Sequence, residues 1–155
     1  MMKALSGKVR LEPINKNEGG SARELSERRL LVVEDEANIV EALSYVLQRA
    51  GFVVETVSDG DVALERLKRE QFAAVVLDIM IPGMNGFEIL RAVRADPRLV
   101  DLPIVVLTAR GQAKDRQMAE EIGASAFITK PFSNAEVVER LRAFTGHHNR
   151  EKNDE

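Results

Sequence analysis

A chain of 155 residues with a formal net charge of −3 is long enough for one domain with its own core and shows no basic excess suited to gripping nucleic acid. It has no cysteine, which excludes disulfides and thiolate metal sites and suits the cytoplasm. No apolar run approaches the roughly 20 residues needed to cross a bilayer, and the N-terminus lacks an apolar h-region with a small-residue cleavage site, so membrane insertion is not expected.

Residues 1–28 mix charged residues, Asn and Gly with scattered single apolar residues and hold no period, so a flexible N-terminal extension is predicted there. Its most linker-like stretch is Asn15-Lys-Asn-Glu-Gly-Gly-Ser. From residue 29 strand-like and helix-like segments alternate. Leu30-Leu-Val-Val is a short apolar run ending in Glu34 and Asp35. Ile39, Val40, Leu43, Val46, Leu47 and Ala50 then recur at helical spacing, and Gly51 stands where a helix end favours a left-handed residue. Phe52-Val-Val-Glu-Thr-Val is rich in β-branched residues and is punctuated by Ser58-Asp-Gly; Ala63, Leu64 and Leu67 mark the next helix. Phe72-Ala-Ala-Val-Val-Leu is a further apolar run, closed by Asp78. Pro82-Gly-Met-Asn-Gly predicts a tight turn with Asn85 as N-cap of a helix bearing Phe87, Leu90 and Val93 as far as Asp96-Pro97. Pro103 opens a strand, Ile104-Val-Val-Leu, that ends at Thr108. A weakly amphipathic helix over 111–122 stops at Gly123-Ala124, and Ala126-Phe-Ile leads into Thr129-Lys130-Pro131. Ser133 or Asn134 caps a last helix with Val137, Val138, Leu141 and Phe144. Residues 146–155 read as a polar tail, and His147-His148 as solvated side chains with no neighbouring ligands.

Strand-helix units with nearly continuous apolar strands imply a parallel sheet covered by helices on both faces. Right-handed crossovers point to a doubly wound five-stranded α/β sheet of flavodoxin type, (βα)5, with strand order 2-1-3-4-5 over residues 29–145. A barrel would need about eight such units. In this sheet the crevice beyond the strand ends falls between the first and third strands, where Glu34, Asp35 and Asp78 would meet.

Three neighbouring carboxylates repel one another unless a cation compensates. Oxygen donors without His or Cys favour Mg²⁺, which binds through one or two carboxylates plus phosphate oxygens. Asp78 would then act as a nucleophile toward phosphorus, with Lys130 as a second positive charge and Thr108 as a hydroxyl donor.

The segments Leu31-Val-Val-Glu-Asp-Glu, Val76-Leu-Asp-Ile-Met-Ile-Pro-Gly-Met-Asn-Gly, Val106-Leu-Thr-Ala and Thr129-Lys-Pro-Phe resemble the response regulator receiver domain of two-component signalling, from about Arg29 to Phe144. The resemblance implies that Asp78 accepts a phosphoryl group from a phosphohistidine on a sensor histidine kinase or histidine phosphotransfer protein. Asp35 and Asp78 would ligate Mg²⁺ directly, Glu34 would act largely through water, and the Met80 backbone carbonyl would complete the protein ligands. Thr108 and Lys130 would bind phosphoryl oxygens, with Lys130-Pro131 a cis peptide. Thr108 and Phe127 would form the switch, the ring turning from an exposed to a buried position and altering the face formed by the fourth helix, fifth strand and fifth helix, which a downstream protein reads. Met80, Ala109 and Arg110 would tune phosphate lifetime.

Two positions depart from the commonest pattern: Glu34 stands where Asp is more usual, and Phe127 where Tyr is common. A phosphohydrolase of haloacid dehalogenase type would need an acid two residues after the nucleophile, a place held by Met80. A flavin-binding protein would need a phosphate-cradling loop where Glu34-Asp-Glu36 would repel phosphate. A receiver that merely scaffolds would lack some of the acids or the lysine. The ten or so polar residues after Phe144 are too few for an output module. The expectation is therefore a stand-alone, cytoplasmic phosphoacceptor, not an enzyme, that signals through protein contacts or a phosphorelay; a receiver from a larger regulator is the alternative.

Overall fold

The structure is a computed structural model, and it describes residues 26–109 and 112–146. Five strands, β1 (Arg29–Val33), β2 (Val53–Val57), β3 (Ala74–Leu77), β4 (Ile104–Thr108) and β5 (Ala126–Thr129), alternate with five helices, α1 (Ala37–Arg49), α2 (Gly60–Arg69), α3 (Gly86–Ala95), α4 (Ala113–Ile122) and α5 (Asn134–Thr145). All strand pairs are parallel and the sheet order is β2-β1-β3-β4-β5, the doubly wound topology expected from the alternation.

The two-residue period of each strand divides the core into two layers. Leu31 and Val33 of β1, Val75 and Leu77 of β3, and Ile104 and Val106 of β4 point to one face, where Leu67 of α2, Leu90 and Val93 of α3 and Ala119 of α4 pack. Leu30, Val32, Val76, Val105 and Leu107 point to the other, against Leu43 and Leu47 of α1 and Val137 and Leu141 of α5. The three central strands are covered on both sides, which is why they read as unbroken apolar runs rather than as alternation. β2, at an edge, is only partly buried.

Helix starts follow the local chemistry. Asp59 Oδ1 accepts from the amides of Asp61 at 2.9 Å and Val62 at 3.2 Å. Asn85 and Glu88 form a reciprocal capping box, and Ser133 Oγ accepts from Glu136 N at 3.3 Å. α4 begins at Ala113, later than the residue-111 start read from the sequence, with Gln112 at its N-cap. Two glycines are needed for close backbone approach: a Cβ on Gly60 would lie 1.9 Å from the Met84 carbonyl oxygen, and one on Gly86 would lie 2.6 Å from Ile79 Cα. Together they clamp the loop after β3 between α2 and the strand end.

At the start of β1, Arg29 and Arg66 form a four-membered ion-pair ring with Glu55 and Glu70. The Arg29 pairs span 2.7 and 2.6 Å, Arg66 meets Glu70 at 2.7 Å and also pairs with Glu55, and the Arg29 guanidinium lies 4.5 Å from the Phe72 ring centroid. Of the extension predicted over 1–28, residues 26–28 form a helical turn leading into β1, with Arg28 Nη1 donating to the Gly51 carbonyl at 3.1 Å. Residues 1–25 and the His147-His148 pair lie outside the described residues.

Candidate functional site

Register brings the site together. Val33 of β1 is level with Leu77 of β3, so the residues that follow each strand, Glu34 and Asp78, emerge side by side. The Asp78 amide donates to the Val33 carbonyl at 3.0 Å and the Glu34 amide to the Val57 carbonyl at 3.0 Å, fixing both backbones. On the other side Thr108 pairs with Thr129, and the Lys130 amide donates to the Thr108 carbonyl at 2.8 Å. The acids, the hydroxyl and the ammonium read from four strand ends thus share one edge of the sheet. The Lys130-Pro131 peptide is cis.

Glu34 is 2% exposed and Asp78 3%, an unusual degree of burial for carboxylates. Asp35 is exposed, yet one oxygen from each of Glu34, Asp35 and Asp78 falls within 4.8 Å of the others. Lys130 Nζ lies 3.0 Å from Glu34 Oε1, 3.0 Å from Glu36 Oε1 and 3.1 Å from Asp78 Oδ2. Asp78 Oδ1 accepts from the Met80 amide at 3.0 Å, and Glu34 Oε2 from the Glu36 amide at 3.0 Å. Burial raises the pKa of Glu34, and the nearby Asp78 charge adds to this against the opposing bonds from the Glu36 amide and Lys130. Burial by itself would lower the pKa of Lys130; its close contacts with the Glu34, Glu36 and Asp78 carboxylates outweigh it and hold the ammonium charged.

Glu34 Oε1 is buried and receives no well-directed hydrogen bond, although the ammonium is within ion-pair distance. A buried carboxylate oxygen left in this condition, in an all-oxygen donor set, fits a hard divalent cation. A cleft of about 470 Å³, lined by Glu34, Asp35, Val40, Thr56 and Ser58 among others, opens beside the cluster. The larger cleft, about 820 Å³ between Phe72, Leu102 and Phe144, lies at the opposite end of the strands, away from these groups.

The response regulator receiver domain model matches residues 30–142, which includes all of these positions. The chain belongs to the response regulator receiver domain family. Among curated relatives, the phosphate regulon transcriptional regulatory protein PhoB of Escherichia coli is 41% identical over 116 residues, covering 75% of this chain and 51% of PhoB. The chain therefore spans about half the length of the curated relatives it matches. Among solved structures, a putative response regulator from Chloroflexus aurantiacus is 32% identical with a TM-score of 0.73, covering 77% of this chain and 98% of that one. The receiver domain of the sensor histidine kinase PA1611 from Pseudomonas aeruginosa, with magnesium in its active-site cleft, is 28% identical with a TM-score of 0.71 and the same coverage. The family match makes residues 30–142 a signalling receiver domain.

The remaining sequence-derived positions fall as follows. Thr108 is fully buried, Met80 is 54% exposed beside Asp78, and Ala109 is exposed. Arg110 lies outside the described residues. Phe127 differs from the expected exposed starting position: it is 6% exposed and belongs to the core layer that holds Val106 and Ala119. Phenylalanine has no hydroxyl that needs a partner, so burying this ring carries no polar cost. The Arg116 guanidinium covers it at 4.8 Å from the centroid, with Nη1 donating to the Phe127 carbonyl at 3.4 Å. The site residue that motif reading missed is Glu36. Its only sequence signal is that it extends the acidic pair at the end of β1.

Proposed function

We propose that Asp78 is the phosphoacceptor of this receiver, taking a phosphoryl group from the phosphohistidine of a sensor histidine kinase or histidine phosphotransfer protein. The observation that carries this reading is a buried carboxylate with an ammonium 3.1 Å from its Oδ2, beside two further acids. Glu34, Asp35 and Asp78, with the Met80 carbonyl, would hold Mg²⁺, which when bound neutralises charge on the phosphoryl oxygens. An Asp78 oxygen attacks phosphorus, a P–O bond forms as the P–N bond breaks, and the imidazole leaves with its electron pair and takes up a proton. The Met80 amide holds Oδ1 at 3.0 Å, so the carboxylate is oriented before the donor arrives. Lys130, already at Oδ2, is placed to bind a phosphoryl oxygen added there, and Thr108 offers a hydroxyl from the neighbouring strand end.

Output in this reading runs through the face of α4, β5 and α5 to a downstream protein. With Phe127 already inward beneath Arg116, movement of Thr108 toward the phosphoryl group would secure the ring rather than admit it. Met80 and Ala109, both exposed, would govern access of water and hence phosphate lifetime. Among the described residues no helix is long and apolar enough to cross a membrane; a cytoplasmic location is part of this reading. The test is incubation with Mg²⁺ and acetyl phosphate. A single acid-stable, base-labile phosphoryl adduct is expected in the wild type and none in Asp78→Asn; persistent labelling of the variant would move the acceptor elsewhere.

A further inference from the structure

Lys130 touches three carboxylates, and two of them, Glu34 and Asp78, belong to the cluster suited to a divalent cation. An ammonium and a metal ion drawn to the same two buried carboxylates compete for them, since the two cations repel each other at that separation. Unless the lysine has somewhere else to place its charge, it either blocks the metal or is driven from the site it must occupy when phosphorus arrives.

Glu36 supplies that alternative. Its carboxylate meets Lys130 Nζ at 3.0 Å, but it lies outside the cluster and its side chain is 62% exposed. The backbone is held at both ends of this contact: the Glu36 amide donates to Glu34 Oε2, and the Lys130 amide donates to the Thr108 carbonyl. Glu36 also occupies the N-cap of α1, where a short polar side chain would accept from the first-turn amides, and it makes no such bond. Its carboxylate reaches instead across 94 residues of sequence to the ammonium.

We infer that Glu36 is a positioning residue: it retains Lys130 at the rim while a divalent cation takes Glu34 and Asp78. This rests on the Mg²⁺ reading above and adds to it a residue that holds no metal yet controls its entry. The contact is geometric, so charge alone does not suffice. Glu36→Asp keeps the charge but shortens the side chain to one well suited to capping α1, and so would abandon the lysine.

The experiment is calorimetric titration of the full chain with MgCl₂, without any phosphodonor, on wild type, Glu36→Gln, Glu36→Asp, Lys130→Met and the Glu36→Gln/Lys130→Met pair. Both Glu36 variants are expected to bind Mg²⁺ about three- to fivefold more weakly, the scale of one rim ion pair. Lys130→Met is expected to bind it more tightly, and in that background Glu36→Gln should have little further effect. Glu36→Asp should melt at or above the wild-type temperature while losing Mg²⁺ affinity, a combination that general destabilisation would not produce. Wild-type affinity in Glu36→Asp, or an equal Glu36→Gln effect with and without the lysine, would overturn the inference and leave the Mg²⁺ reading standing. Absence of Mg²⁺ binding by the wild type would overturn both.

Discussion

Replacing Gly60 by Ala should damage stability and site together. The new Cβ would stand 1.9 Å from the Met84 carbonyl oxygen, about 1.5 Å short of ordinary contact, and the obstacle is backbone with no rotamer through which to escape. Relief requires α2 and the loop after β3 to separate, breaking the 2.9 Å bond from the Gly60 amide to the Pro82 carbonyl. Overpacking costs about 1–3 kcal/mol and the lost hydrogen bond about 1, while alanine's better helix propensity returns at most about 1. A net loss of about 1–4 kcal/mol follows, which at its middle is roughly 10 °C in melting temperature for a domain of this size. Urea and thermal unfolding by far-ultraviolet circular dichroism is the appropriate assay, because the chain has no Trp and its single Tyr45 is 62% exposed. Gly146→Ala is the control: that position has φ +84° and nothing within 4 Å, so only backbone strain of about 1 kcal/mol applies. The displaced loop begins at Asp78 and carries the Met80 amide that orients its carboxylate, so acetyl phosphate labelling should slow as well. A Gly60→Ala protein as stable as wild type, or less affected than Gly146→Ala, would refute this account of the clamp.

Two other perturbations test the electrostatics. Added Mg²⁺ should stabilise the folded protein by about 1.4 kcal/mol at ten times its Kd, matched NaCl should not, and Asp35→Asn should largely remove the response in thermal melts; an undiminished response would put the metal elsewhere. Glu70 is held at about 2, below its ordinary 4.5, by Arg66 first and then Arg29. Its contribution is therefore present above about pH 4.5 and is lost as pH falls toward 2. Since its side chain is 32% exposed and screened by solvent, Glu70→Gln should cost only about 1 kcal/mol at pH 7, with the gap to wild type closing through that acid range in urea titrations; a gap that persists to pH 2 would show that packing, not charge, is responsible.

Much of the molecule follows from sequence because its rules are local. Short apolar runs bounded by Gly, Pro and Asp mark the strands, the spacing of Leu43 and Leu47 marks α1, and Asn85 with Glu88 marks the start of α3, all decided by neighbours a few residues apart. Acids ending the first and third runs, with Thr108 and Lys130 ending the fourth and fifth, also pointed to the candidate site, because a parallel sheet gathers its strand ends at one edge. What only the tertiary structure decided are pairings between distant residues that no period encodes. The 94-residue separation of Glu36 and Lys130, the ring of Arg29, Glu55, Arg66 and Glu70, and the approach of Gly60 to Met84 each depend on register and on how far a side chain reaches. Phe127 makes the same point. The sequence places it on β5, but its inward position is set by the room left between β4 and α4 and by the guanidinium of Arg116 above it, and packing of that kind exists only once the layers have closed.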